Sequence, residues 1–170
     1  MRRMHALSHL ALSAILCFSL ALWIQLPAGA QRRNSAYLQY IKKYEDLAVD
    51  QMKEYHIPAS IKLAQGLLES GAGRSELARS SNNHFGIKCG RAWKGRSVRR
   101  TDDAPNECFR AYRHPEESYR DHSRFLRDNL RYAALFRLDM TDYKGWAHGL
   151  KRAGYATDPS YANRLITIIE

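Results

Sequence analysis

Glu69 is the residue in this chain whose setting best suits proton transfer. It follows Ile61-Lys62-Leu63-Ala64-Gln65-Gly66-Leu67-Leu68 and precedes Ser70-Gly71-Ala72-Gly73. Ile61, Ala64, Leu67 and Leu68 share one helical face and Pro58 stands at a first-turn position, so Glu69 is expected to close a buried helix. The negative end of a helix dipole and apolar neighbours both disfavour a charged carboxylate and raise its pKa. A carboxyl kept protonated in this way suits a general acid. Gly71 and Gly73 add a turn with little bulk, across which a long substrate could reach the acid. The competing reading is a glutamate exposed at a helix end.

Several elements have to position that acid. Tyr37, Tyr40, Ile41, Tyr44, Leu47, Ala48 and Met52 recur every three or four positions, which predicts an amphipathic helix over 35–55. Between 80 and 113 helical periodicity disappears and Gly86, Gly90, Gly95 and Pro105 enter, with short extended runs expected at 85–88 and 108–112. Helix returns at Pro115, where Glu116 and Glu117 favour the first turn and Tyr119, His122, Phe125 and Leu126 form a stripe ending near Asn129. Another helix fits 141–153, capped by Thr141 or Asp142 and stopped by Gly154. The last is expected to begin at Asp158-Pro159 and run through Tyr161, Leu165, Ile166 and Ile169. The layout is an α+β domain, mainly α, with a small β-lobe inserted after the acid and a cleft between the two parts.

The start of the chain reads as an export leader. Arg2 and Arg3 precede an uncharged apolar run over 10–26, and Ala28-Gly29-Ala30 offers a small-residue cleavage site. This divides the chain into a signal peptide, 1–30, and one domain, 31–170, large enough for a single core. The alternative for the leader is a retained membrane anchor. After cleavage no stable membrane insertion is expected, and the product is expected to be a monomer.

The formal net charge of the chain is +10, with only Arg2 and Arg3 of its cations in the leader. That balance favours an anionic partner, which for an exported protein points to cell-wall polymer, acidic polysaccharide or phospholipid and away from nucleic acid. Cys89 and Cys108 are the cysteines outside the leader. In an oxidising compartment they are expected to form a disulfide around Trp93 and the acidic cluster Asp102, Asp103 and Glu107. Closing a loop of that length is worth on the order of 3 kcal/mol. The alternative is a zinc site built with His84 and His114.

Four motifs then carry a resemblance. Ala64-Gln65-Gly66-Leu67-Leu68-Glu69-Ser70-Gly71, Asn82-Asn83-His84-Phe85-Gly86-Ile87-Lys88, Trp93-Lys94-Gly95 and Gly154-Tyr155-Ala156-Thr157-Asp158-Pro159-Ser160-Tyr161-Ala162 occur in one order over about 36–170. Together they resemble the glucosaminidase family of peptidoglycan hydrolases, glycoside hydrolase family 73, which includes the flagellar-rod hydrolase domain. The resemblance implies a lysozyme-like fold and cleavage of the β-1,4 bond after N-acetylglucosamine in peptidoglycan glycan strands, without metal or organic cofactor.

By the same resemblance Glu69 is the acid, and a second carboxylate belongs on the lobe shortly after a threonine. Thr101-Asp102-Asp103 occupies that region, with aspartate where glutamate is usual; Asp103 ranks first, Asp102 second and Glu107 third. Tyr155 and Tyr161 match an aromatic pair facing the acid, and Asn83, Phe85 and Gly86 match the segment lining the cleft. Trp93 could stack on a sugar face, and core or hairpin packing competes for each of these aromatics. The expected place of action is the periplasm or the exterior, at the cell wall. The alternatives are a lytic transglycosylase, which also relies on one glutamic acid, and a wall-binding module without catalysis.

Overall fold

The computed structural model of the protein describes residues 28–102 and 104–170. The expected leader up to residue 27, and Asp103, lie outside the described residues.

Helix α1 (Ala28–Tyr55) buries Ala36, Tyr40, Tyr44, Ala48 and Gln51 at helical spacing against α2 and α4. Helix α2 (Ala59–Ser70) starts one residue later than expected, because Pro58, with ψ 131°, serves as its cap. It ends at Gly71, whose left-handed φ of 57° turns the chain while its N–H bonds to the Leu67 carbonyl. The short α3 (Glu76–Ser81) follows, with Ser75 Oγ accepting from the Ala78 N–H at 3.1 Å.

The lobe is a two-stranded antiparallel sheet. Strand β1 (Ser97–Arg100) pairs with β2 (Glu107–Arg110), Ser97 opposite Arg110 and Arg100 opposite Glu107. The extended run expected at 85–88 is a turn instead, and only Lys88 reaches the sheet, as a single bridge to Phe109. Asn83 shapes this segment: its Oδ1 accepts from the Ile87 N–H (3.0 Å), taking the donor a strand would use, and its Nδ2 donates to the Ile87 carbonyl (2.9 Å), which still receives the Arg110 N–H (2.9 Å). Gly86 completes the turn at φ 63°. Cys89 and Cys108 form a disulfide with Cα atoms 5.4 Å apart. Each sulfur is thereby spent on the other, which removes the zinc alternative.

Helix α4 (Pro115–Asp128) begins and ends as expected. A 3₁₀ helix (Leu130–Arg137) that periodicity does not announce then buries Tyr132 and Leu135. In α5 (Tyr143–Arg152) Asp142 is the cap, accepting from the Gly145 N–H at 2.8 Å. Helix α6 (Tyr161–Ile169) starts later than Asp158-Pro159, because Asp158 ties a preceding turn by accepting from the Ser160 N–H (2.8 Å) and from Arg164 (3.0 Å).

Two apolar clusters flank α2. Ile61 and Ala64 join Leu126, Trp146, Leu150 and Leu165, whereas Leu67 joins Tyr40, Tyr44, Phe85, Ile87 and Tyr119. The helix carrying Glu69 is therefore the central element, held on both sides. Among the described residues no helix is long and apolar enough to cross a membrane.

Candidate active site

Glu69 lies in the last turn of α2, half-buried, and its carboxyl is reached from α6. Tyr161 Oη donates to Glu69 Oε1 at 3.0 Å, and Gln65 Nε2 donates to Tyr161 Oη at 2.9 Å. Gln65 and Glu69 stand one turn apart on α2, so a single helical face supplies both ends of this chain of bonds. Burial raises the Glu69 pKa above its ordinary 4.5, against the lowering pull of the Tyr161 hydrogen bond and of Arg164; Asp102 adds a smaller upward push. The carboxyl thus sits where the protonated form is favoured while one oxygen is held by a fixed donor.

Tyr155 stacks on Tyr161 with ring centroids 5.6 Å apart and planes 23° apart. Its hydroxyl lies 3.0 Å from His122 Nε2. His122, on α4, lies in turn 2.8 Å from Lys62 Nζ through its Nδ1, and Lys62 is on the same face of α2 as Gln65 and Glu69. Burial first, and the neighbouring Lys62 charge second, push the His122 pKa well below its ordinary value.

A cleft of about 460 Å³ opens between the helices and the lobe, with Glu69, Phe85, Gly86, Lys88, Arg110 and Tyr155 in its walls. On one side it adjoins a recess of about 330 Å³ that shares Glu69 and Tyr155 and reaches Tyr161 and Arg164. On the other it adjoins one of about 550 Å³ that shares Arg110 and Phe125 and extends to Leu130. Glu69 accordingly lies along a groove, a shape suited to a polymer. On the lobe rim Lys88 Nζ contacts Glu107 at 2.7 Å and Asp102 at 3.8 Å.

Known proteins resemble this chain over most of its length. A family model for glucosaminidase, described as mannosyl-glycoprotein endo-beta-N-acetylglucosaminidase, matches residues 45–170. The chain belongs to the glucosaminidase family. It is 34% identical over 144 residues to peptidoglycan hydrolase FlgJ of Vibrio parahaemolyticus, covering 78% of the chain and 46% of the relative. It is 37% identical over 131 residues to exo-glucosaminidase LytG of Bacillus subtilis, covering 69% and 45%. The chain thus spans about half the length of these curated relatives. The crystal structure of a peptidoglycan hydrolase from Sphingomonas sp. A1 superposes with a TM-score of 0.69 at 32% identity, covering 78% of this chain and 86% of that one. The mainly helical fold with a small two-stranded sheet is that of the family's glycoside hydrolase domains.

Of the residues singled out in the sequence, the glucosaminidase fold brings Glu69, Tyr155, Tyr161, Phe85 and Gly86 to one cleft. Asn83 is only 1% exposed and spends its amide on the backbone of Phe85, Ile87 and Arg110, so it shapes the wall from behind. Trp93 packs within the lobe: its ring covers Gly95, the Arg110 guanidinium lies 4.7 Å from its centroid, and its Nε1 donates to the Arg96 carbonyl at 2.9 Å. The Asp102 side chain is 58% exposed on the rim, and Glu107 is engaged with Lys88 and with the Ala104 N–H at 3.2 Å. Sequence reasoning missed Gln65, Lys62 and His122 as partners of the site. Lys62, Gln65 and Glu69 recur every three to four residues along α2, a spacing that puts them on one face but does not name the groups on α4 and α6 that meet it.

Proposed function

We propose that this domain hydrolyses the β-1,4 glycosidic bond after N-acetylglucosamine in peptidoglycan, with Glu69 as the general acid. The observation that carries the reading is the Glu69 carboxyl, half-buried in a groove and held at one oxygen by Tyr161. Protonation of the leaving oxygen needs a carboxyl that keeps its proton until the bond breaks, and partial burial supports that state. The names of FlgJ, LytG and the Sphingomonas enzyme support the substrate class.

In this reading the second carboxylate is Asp103 or its neighbour Asp102, which would stabilise the developing positive sugar or orient a water. Phe85 and Gly86 form a wall for the glycan, and Tyr155 offers its hydroxyl to it. The leader over 1–30 carries the protein out of the cytoplasm, where the cationic surface favours an anionic wall. Digestion of purified peptidoglycan tests the reaction: new reducing N-acetylglucosamine ends are expected. Products with 1,6-anhydro-muramic ends would assign a lytic transglycosylase, and binding without release would assign a wall-binding module.

A further inference from the structure

Lys62 is fully buried, with 0% of its surface exposed, and no carboxylate pairs with it among the described residues. Its Nζ instead meets three acceptors: His122 Nδ1 at 2.8 Å, Ser123 Oγ at 2.8 Å and the Tyr119 carbonyl at 3.4 Å. The Ser123 hydroxyl proton has Gln51 Oε1 at 2.8 Å and the Tyr119 carbonyl at 3.0 Å as acceptors, and with either one its oxygen is left to receive from Lys62. Three acceptors match the three N–H groups of an ammonium. Such an arrangement leaves His122 Nδ1 as an acceptor and puts the ring proton on Nε2, which donates to Tyr155 Oη at 3.0 Å.

The phenol at the end of this series then receives one hydrogen bond and keeps its own proton unspent. Among the described residues Tyr155 Oη has no acceptor, and Tyr155 lines the cleft together with Glu69. Phe85 fixes the plane of the relay, stacking flat on His122 at 4.0 Å and 9°. Resting on the glycan-cleaving reading above, we propose that Lys62 and His122 are positioning residues that hold Tyr155 as a hydrogen-bond donor toward an acceptor oxygen of the bound glycan. Burial disfavours a charge on either group, pushing Lys62 as well as His122 well below its ordinary value, so the ammonium rests on the three acceptors that surround Nζ. The reverse order, a neutral Lys62 amine receiving from His122 Nδ1–H, would turn the Tyr155 proton inward and make its oxygen an acceptor.

Two measurements test this. Nitrogen-15 NMR of the protein is expected to show His122 as the Nε2–H tautomer; an Nδ1–H tautomer overturns the proposal whether or not the protein turns over glycan. In peptidoglycan digestion, Lys62→Met is expected to lower kcat about tenfold with a smaller change in KM, and to add less than about twofold in a Tyr155→Phe background. His122→Gln, which keeps a donor for Tyr155, is expected to retain more turnover than His122→Leu, and this pair serves if Lys62→Met does not fold. Near-normal turnover in Lys62→Met, or losses that multiply fully with Tyr155→Phe, would overturn the relay. Failure of the unaltered protein to release glycan would instead overturn the function reading, and the tautomer would still decide the proton's direction.

Discussion

Tyr161 donates to Glu69 across 92 positions of chain, a 3.0 Å bond from the first residue of α6 to the last turn of α2. The bond divides the two carboxyl oxygens. Oε1 receives the phenolic proton, and no hydrogen bond engages Oε2 among the described residues, so the acid's own proton belongs on Oε2. Gln65 makes the direction one-way: by donating to Tyr161 Oη it leaves the tyrosine proton only one place to go.

Replacing Glu69 by Gln is expected to lower glycan cleavage by about 10²–10⁴ while keeping the fold, since the amide keeps an acceptor for Tyr161 and loses the transferable proton. A loss smaller than tenfold in a turnover assay sinks the assignment. The same variant has a stability signature. Because the folded pKa of Glu69 is raised above 4.5, the stability it contributes is complete below 4.5 and is lost as pH rises through the raised value. Denaturation at about pH 4 and about pH 8 should show the variant gaining on the unaltered protein at the higher pH.

Tyr161→Phe removes a bond that lowers the Glu69 pKa, so that pKa should climb further. The alkaline limb of the kcat profile is then expected to move to higher pH, even as the rate falls through lost orientation. The change also strands the buried Gln65 Nε2, a cost of about 1–3 kcal/mol in denaturant unfolding. An unmoved alkaline limb would separate Glu69 from the titration that controls turnover.

Asp103→Asn is expected to reduce kcat far more than it raises KM, because a group that acts on the developing cation or on water strengthens its interaction only at the transition state. Asp102→Asn is the paired measurement, and its exposed carboxylate predicts the smaller loss. Near-normal turnover in both, and in Glu107→Gln, would leave Glu69 acting with the tyrosines and the substrate itself.

Gly66→Ala should destabilise the protein although alanine is the better helix former by ~1 kcal/mol. A Cβ at Gly66 would come within 2.5 Å of Tyr40 Oη. That hydroxyl cannot easily yield, being bonded to Tyr119 Oη at 2.7 Å and lying 3.0 Å from His84 Nδ1. Overpacking of this kind costs about 1–3 kcal/mol. Thermal unfolding checks the sign, and a stabilised variant would show that Tyr40 moves freely.

Much of this protein was legible in the sequence because the relevant physics is local. The left-handed turn at Gly71 stops α2 immediately after Glu69 and Ser70, Asp142 caps α5, and the Pro115 helix ends at Asp128. These outcomes depend on a few neighbouring residues and on side-chain periodicity. The motif order carried the family and pointed to Glu69, Phe85, Gly86, Tyr155 and Tyr161, whereas Asn83 and Trp93, read from the same motifs, pack away from the cleft. Tertiary structure decided which polar groups face one another. Lys62 and Gln65 lie within a helical face that patterning alone assigns to water or to general packing, and they become site residues only because Tyr161 and His122 arrive from α6 and α4. Asn83 likewise overrides strand propensity at 85–88 through bonds within its own loop, while Tyr112, Ser81 and Arg96 settle where the lobe's backbone turns. Burial and hydrogen-bond partners are set by atoms far apart in the chain, so no local pattern could announce the proton arrangement around Glu69.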